Sequence, residues 1–221
     1  MSEEDSILLI DKPDGMTSFG VVARVRRVMG EKFGHKVKVG HTGTLDPFAT
    51  GLMIIVTGKE CRNAMAYTKL DKVYEATFHL GQTSTTGDPE GELTDVSSGQ
   101  PSLSEIEAVL PRFRGDIMQR PPAFSAIKIN GERAYKLARK GEVVEIPERP
   151  VKIYELEIIE YIYPDLRVRA HVSSGTYIRT LGEDIGAALG TGAYCTQLRR
   201  VSIDTWDIAE AMTLEDLGVT S

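Results

Sequence analysis

Cysteine is scarce in this sequence, with only Cys61 and Cys195 among 221 residues. The two lie far apart, and neither has a second cysteine or a histidine at the spacing that zinc sites require. We therefore predict two reduced cysteines in the core and no zinc site.

Long apolar runs and a basic leader are also missing. No segment approaches the roughly 20 apolar residues that a membrane span needs. The first residues, Met1-Ser2-Glu3-Glu4-Asp5, are acidic where a secretory signal would be basic. An apolar fraction of 41% and a charged fraction of 26% are typical of a soluble globular protein. We expect one catalytic domain over residues 1–221, located in the cytosol and without membrane contact.

An overall positive charge is lacking as well, because the net charge is −6 and the isoelectric point is near 5.3. This argues against nucleic-acid binding, which usually needs a basic surface. The distribution of charge argues for it: residues 24–40 hold six basic residues against one acidic residue, and residues 120–152 hold eight against four. Acidic residues collect at 88–107 and 204–216. The alternative is that these stretches are ordinary solvated helix faces.

Hydrophobic periodicity predicts an α+β fold with a mixed, mostly antiparallel sheet flanked by helices. The predicted strands are Ser6–Lys12, Leu52–Val56, Lys72–Leu80, Val151–Tyr163 and Leu166–Ser173. The predicted helices are Phe19–Met29 with a cap at Thr17-Ser18, Lys59–Leu70, Ser104–Phe113, Ala134–Lys140 and Tyr177–Leu189. Thr83–Pro101 is rich in turn residues and is expected to be a surface excursion, whereas 120–150 is expected to be a basic insertion that clamps RNA.

One aspartate lies in an unusually informative context, the octapeptide Gly40-His41-Thr42-Gly43-Thr44-Leu45-Asp46-Pro47. The following proline biases Asp46 toward an extended backbone, and the glycines permit close backbone approach on either side. Such a loop can hold a carboxylate in a cleft just before the apolar strand. Taken alone, the same residues would also be typical of a simple turn.

A second segment decides between these readings. Ser174-Gly175-Thr176-Tyr177-Ile178-Arg179 is followed by Leu198-Arg199-Arg200. With the Asp46 loop and Tyr74, in this order and spacing, these motifs resemble the TruB family of tRNA pseudouridine synthases. The resemblance extends from Leu8 to about Arg200, which is most of the chain.

The resemblance implies an enzyme that isomerises uridine to pseudouridine at position 55 in the T-loop of tRNA, on a pseudouridine-synthase-like fold with a central RNA-binding cleft. No cofactor is implied. Asp46 would be the nucleophile, attacking either uracil C6 or ribose C1′ after the base is flipped out of the RNA. Arg179 would pair with Asp46 and keep it ionised, and Tyr74 would stack on the target uracil.

Further residues take substrate-binding roles through the same resemblance. His41 would occupy the space that the flipped base leaves, while Tyr177 and Leu198 would line the uracil pocket, although either is also compatible with ordinary core packing. Lys128 and Arg139, in the insertion, would contact RNA phosphates.

The chain departs from many bacterial relatives at its C-terminal end. They continue into a small RNA-binding domain of the PUA type, whereas only 21 residues follow Arg200 here, and these are acidic. We expect no PUA domain and a substrate held by its T-arm, with no obligatory protein partner and a monomeric enzyme. Three alternatives remain open: a tRNA-folding chaperone, a pseudouridine synthase acting on another RNA, and an aspartate-dependent hydrolase, which ranks last because no partner carboxylate or metal motif is present.

Overall fold

The computed structural model describes residues 3–125, 127–129, 131–140 and 146–219. The chain divides into two compact units. The first unit comprises Met1–Val73 and Arg199–Ser221, and the second comprises Tyr74–Leu198. Our expectation of a single catalytic domain stays a prediction.

Thirteen strands and five α-helices are described. The strands are β1 (Ile7–Lys12), β2 (Val39–His41), β3 (Thr50–Thr57), β4 (Lys72–Leu80), β5 (Gln82–Ser84), β6 (Leu93–Asp95), β7 (Gly115–Gln119), β8 (Lys128–Ile129), β9 (Glu132–Arg133), β10 (Arg149–Ile162), β11 (Asp165–Val172), β12 (Ala193–Ile203) and β13 (Trp206–Asp207). The helices are α1 (Ser18–Phe33), α2 (Ala64–Thr68), α3 (Leu103–Val109), α4 (Ala134–Arg139) and α5 (Ile178–Ala188), with short 3₁₀ helices at Gly58–Arg62, Leu110–Phe113 and Ile208–Glu210.

The first unit is built around β3, which is apolar and buried along nearly its whole length. Strands β1 and β2 both pair antiparallel with β3, and the C-terminal part of β12 pairs parallel with it through Arg199 and Arg200. Helix α1 begins at a Thr17 cap, whose side chain accepts a hydrogen bond from the Gly20 amide, and ends at Gly34 in the left-handed conformation. This unit therefore places the chain between β2 and β3, residues 42–49, beside the start of α1.

The second unit orders its strands β12-β4-β11-β10-β7, and β10 is antiparallel to both of its neighbours. Helix α5 packs on β4 at Gly182, where an added Cβ would lie 2.5 Å from Cδ1 of Phe78. Glycine is needed at this position because the aromatic ring occupies the space that a side chain would take. The contact brings the helix against the sheet.

The predicted fold class is confirmed, and five strands match predicted ones closely. The prediction of one helix over Lys59–Leu70 was wrong, because a 3₁₀ turn and the short α2 meet at Asn63 instead. The other eight described strands, among them β7 and β12, were not predicted. Cys195 is buried and Cys61 is half-buried. Within the described residues, no helix is long and apolar enough to cross a membrane.

Candidate functional site

Asp46 lies in the first unit, on the loop between β2 and β3, and is half-buried. The neighbouring residue is tied to helix α1, since the Leu45 amide donates to Oγ of Ser18 at 2.8 Å and the same hydroxyl lies 2.8 Å from the Leu45 carbonyl. The Asp46 carbonyl accepts from the Ala49 amide at 3.1 Å. The main chain is therefore held on both sides of the carboxylate.

Lys12, at the end of β1, also holds this loop and is completely buried. Its ammonium donates to the main-chain carbonyls of Pro13, Met16 and Pro47 at 2.8, 2.5 and 3.0 Å. Burial lowers the pKa of Lys12 to about 8, an effect that the charges of Asp14 and Asp46 oppose. The ammonium thus joins the chain after Asp46 to the end of β1 and adds a positive charge near the carboxylate.

Arg200 holds the other side of the loop and is only 1% exposed. Its Nε donates to the Leu52 carbonyl at 2.6 Å and its Nη2 donates to the Gly43 carbonyl at 3.1 Å. Gly51 has φ +104°, and a Cβ there would lie 2.3 Å from the Arg200 carbonyl oxygen, so only glycine fits. The sequence analysis placed Lys12 at the end of a predicted strand and Arg200 in a motif, and it missed that both residues hold the loop.

His41 ends β2 in the first unit, opposite Ile55 of β3, and is half-buried. It is therefore five residues before Asp46, on the strand that leads into the loop. Its role in occupying the space of a flipped base stays a prediction.

Arg179 lies in the second unit, in the first turn of α5, as predicted. It is not an exposed helix arginine, since only 3% of it is accessible. Its Nη1 donates to Oδ2 of Asp88 at 2.8 Å and to the Thr86 carbonyl at 2.7 Å, and its Nη2 donates to the Phe124 carbonyl at 2.8 Å. The guanidinium is thus fixed by a carboxylate and two carbonyls. The pairing of Arg179 with Asp46 stays a prediction.

Asp88 was missed by the sequence analysis, which expected Thr83–Pro101 to be a surface excursion. That expectation was wrong for Asp88, which is 5% exposed. Its Oδ1 accepts from the Thr86 hydroxyl at 2.5 Å and from the Glu90 amide at 3.1 Å, while Oδ2 faces Arg179. It lies in the connection between the paired strands β5 and β6. The only sequence signal was an aspartate among turn residues, which is usual on a surface.

A second carboxylate lies near this pair. Glu183 follows Arg179 by four residues and shares its face of α5. Burial raises the pKa of Glu183 to about 7, and the positive charge of Arg179 opposes that rise. Arg179 therefore lies near a second carboxylate, Glu183, whose charge changes near neutral pH.

Tyr177 caps α5 and is held through its backbone. The Tyr177 amide donates to Oε1 of Gln119 at 2.7 Å, and Nε2 of Gln119 donates to the Tyr177 carbonyl at 3.0 Å. The Arg149 guanidinium lies 5.1 Å from the centre of the tyrosine ring. The ring that is predicted to line a uracil pocket therefore has a fixed backbone and a cation over one face.

Tyr74 and Leu198 lie on the neighbouring strands β4 and β12, and each is 8% exposed. Tyr74 shares the alternation of Phe78, four residues on, so both rings point to the sheet face on which α5 packs. Arg179 lies in the first turn of that helix, and Tyr177 precedes it as the cap. Their predicted contacts with a uracil stay predictions.

Lys128 and Arg139 belong to β8 and α4 by backbone. Their side chains lie outside the described part of the chain, and their phosphate contacts stay predictions. Among the residues that are described, no group of three or more histidine, cysteine, aspartate or glutamate side chains is arranged to hold a metal ion.

Two family models match the sequence. The model described as TruB family pseudouridylate synthase (N terminal domain) covers residues 26–178, and the model described as tRNA pseudouridylate synthase B C-terminal domain covers residues 179–220. Together they account for nearly all of the chain after residue 25.

Individual proteins are similar over almost the whole chain. One from Corynebacterium jeikeium (strain K411), named tRNA pseudouridine synthase B, is 43% identical over 96% of this chain and 70% of its own length. One of the same name from Pseudomonas putida (strain GB-1) is 45% identical over 96% of this chain and 68% of its own length.

Solved structures share the fold. A chain of a Cbf5-Nop10-Gar1 complex is 32% identical with a TM-score of 0.74, covering 96% of this chain and 53% of that one. A chain of an H/ACA RNP bound to a substrate RNA containing 2'-deoxyuridine is 29% identical with a TM-score of 0.71, covering 96% and 52%. The present chain thus spans about half the length of these solved chains.

Proposed function

The chain belongs to the TruB family of pseudouridylate synthases, which are isomerases, and we propose that it converts uridine to pseudouridine at position 55 in the T-loop of tRNA. The names of its relatives support a tRNA substrate. The position within tRNA rests on the motifs that the chain shares with the family.

Asp46 is the nucleophile in this proposal. The observation that carries it is the fixed loop: Ser18, Lys12 and Arg200 hold the main chain around a half-buried carboxylate. A nucleophile held in place reacts with less loss of entropy than one on a free loop. The ammonium of Lys12 also favours the ionised carboxylate, because an opposite charge nearby lowers the pKa of an acid.

Arg179 supplies the second fixed positive charge for the reaction. A carboxylate enclosed with a stacked base loses hydration, which would raise its pKa and weaken it as a nucleophile. A guanidinium cannot lose its proton in a protein and therefore offsets that loss. Asp88 and two carbonyls fix its orientation.

The aromatic residues receive the base. Extruding a uridine from a folded loop costs a few kcal/mol, and stacking on an aromatic ring returns roughly 1–3 kcal/mol. Tyr74 stacks on the uracil, Tyr177 and Leu198 line the pocket, and His41 fills the space that the base leaves. Lys128 and Arg139 contact phosphates of the T-arm.

The reaction itself is balanced without a cofactor. The bond from ribose C1′ to uracil N1 breaks, the base turns, and C1′ bonds to C5. C5 loses its hydrogen as a proton, and N1 gains a proton. Asp46 adds to either uracil C6 or ribose C1′ and is released at the end, so the composition of the RNA is unchanged. Tyr74 is a candidate for the proton transfer at C5.

The test is tritium release from a tRNA transcript that carries ³H at uracil C5. We expect the native chain to release tritium from the T-loop uridine, and Asp46→Asn to lower the rate by more than about a thousandfold, since it removes the nucleophile but keeps its shape. Asp14→Asn is the matched control, because Asp14 is an exposed aspartate of the same unit. Tight tRNA binding without tritium release by the native chain would sink the proposal and favour an RNA chaperone.

A further inference from the structure

The first unit has an open surface depression of about 470 Å³ near the C-terminal end of α1, which we name the α1 basic pocket. Its lining residues are Arg26, Arg27, Gly30, Glu31, Gly34, His35 and Lys36. None of them has a role in the proposed chemistry. The pocket therefore needs an explanation of its own.

The charges of the pocket are mostly positive and only partly matched. Arg27 has one weak partner, Glu31, at 4.0 Å, and more than half of each side chain is exposed. In the described part of the chain, no carboxylate pairs with Lys36. Exposed pairs of this kind contribute little, so the arginine remains available to another anion. The pocket thus suits a negatively charged ligand.

The backbone makes the pocket accessible. Gly30 and Gly34 contribute no side chain, and Gly34 adopts φ +73° with open space where a Cβ would be. Arg26 is already oriented, because its Nη2 donates to the Val39 carbonyl at 3.2 Å and its guanidinium lies 5.8 Å from the centre of the Phe19 ring. An anion that enters meets a preset guanidinium and two adaptable cations.

Helix α1 also fixes how far the pocket lies from the candidate nucleophile. Its first residue, Ser18, is bonded to Leu45, the neighbour of Asp46. A rise of 1.5 Å per residue places Arg27 about 14 Å, and Gly34 about 24 Å, along the helix from Ser18. A DNA duplex carries one phosphate per strand for about every 3.4 Å of its axis, and on that scale this span corresponds to roughly four to seven base pairs.

We propose that the α1 basic pocket binds backbone phosphates in the helical stem of the RNA substrate, several nucleotides away from the uridine that is modified. This inference rests on the proposed function, because it takes the flipped uridine to be at Asp46. Phosphate contacts position an RNA without reading its sequence. The pocket therefore contributes to affinity and to its salt dependence, and not to the chemical step.

The test compares Arg27→Glu with Lys36→Glu in one protein against a matched control, Arg112→Glu with Lys69→Glu. All four are exposed cations, and both proteins change the net charge equally. Each is assayed with a full T-arm hairpin and with a hairpin cut to the loop and three closing base pairs. Arg27→Gln with Lys36→Gln is a milder second pocket variant, and thermal melting checks that all proteins fold.

We expect the pocket variant to bind the full hairpin at least about tenfold more weakly, with a salt slope smaller by about 1–2, as for the loss of one or two phosphate contacts. The short hairpin should bind native and pocket variant equally, and the single-turnover rate at saturating RNA should not change. Equal binding of the full hairpin by native and pocket variant would overturn the proposal, as would an equal loss in the control or with the short hairpin. Absence of tritium release by the native chain would instead reject the proposed function, since the binding comparison does not depend on turnover.

Discussion

Asp46 in the first unit and Arg179 in the second are both fixed by their surroundings, but through different kinds of contact. In the first unit the main chain around Asp46 is held. Ser18, Lys12 and Arg200 donate hydrogen bonds to carbonyl oxygens of the loop between β2 and β3. The second unit holds the Arg179 side chain itself, through the carboxylate of Asp88 and two carbonyls. The difference follows from where each residue lies.

A loop residue needs its backbone fixed from outside, because a loop has no regular hydrogen-bonding pattern of its own. A helix residue already has a fixed backbone, and its difficulty is burial of a charge. Burying an unpaired guanidinium costs several kcal/mol, and a carboxylate partner offsets much of that cost. The same outcome, a fixed candidate site residue, is thus reached by backbone contacts in one unit and by charge pairing in the other.

The largest effect is expected from a substitution that disrupts the backbone contacts of the first unit. In Gly51→Ala the new Cβ would lie 2.3 Å from the Arg200 carbonyl oxygen, at a residue with φ +104°. We expect a loss of more than about 4 kcal/mol in the free energy of unfolding, measured with urea. Gly34→Ala is the control, since it also has positive φ but meets nothing within 4 Å, and it should cost about 1–2 kcal/mol. Similar costs for the two would contradict the steric explanation.

The next largest effect is expected from a substitution that removes the charge pairing in the second unit. Asp88→Asn keeps the size of the side chain but removes the negative charge that lies 2.8 Å from the buried Arg179 guanidinium, and we expect a loss of about 3 kcal/mol in the free energy of unfolding. Glu75→Gln removes a carboxylate that is 29% exposed and pairs with the half-exposed Arg167 and Arg169, so it should cost less than about 1 kcal/mol. If Asp88→Asn lowers the free energy of unfolding no more than Glu75→Gln does, burial does not determine how much the Asp88–Arg179 pair stabilises the protein.

The smallest expected effect is the pH dependence of stability that Glu183, near Arg179 in the second unit, should cause. Burial raises the pKa of Glu183 to about 7 in the folded protein, from 4.5 for an ordinary glutamate. The folded state therefore binds more protons between these values, and stability falls as pH rises through that window. At pH 8, Glu183→Gln should be more stable than the native chain by about 2 kcal/mol, and near pH 4 the two should agree. A stability difference between Glu183→Gln and the native chain that does not change with pH would contradict the raised pKa of Glu183. Glu107→Gln, at an exposed glutamate, is the control for the loss of a carboxylate.

The strands were predicted where apolar residues form a simple pattern, as in Leu52–Val56 and Lys72–Leu80. Strand β12 was missed because Thr196, Gln197 and two arginines interrupt the alternation, and the burial of Arg200 by its contacts with Leu52 and Gly43 is a tertiary effect. One helix was predicted over Lys59–Leu70, but the chain turns at Asn63.

The candidate site was predictable to the extent that it follows motifs. Asp46, Tyr74 and Arg179 were named from sequence, and Arg179 lies in the first turn of α5 as expected. Asp88 was not named, because an aspartate among threonines, glycines and prolines is typical of a surface turn, and only the packing of distant segments shows that it is buried against Arg179. Residues that act through others leave little trace in sequence.

The central proposal is that Asp88 acts through Arg179, by holding its guanidinium in place for the chemistry at Asp46. Single-turnover tritium release should be measured for the native chain, Asp88→Asn, Arg179→Lys and the double variant, at saturating tRNA. If Asp88 acts through Arg179, the double variant is no slower than Arg179→Lys alone, because removing the arginine already removes what Asp88 holds in place. Multiplied losses in the double variant would show independent roles and contradict the account.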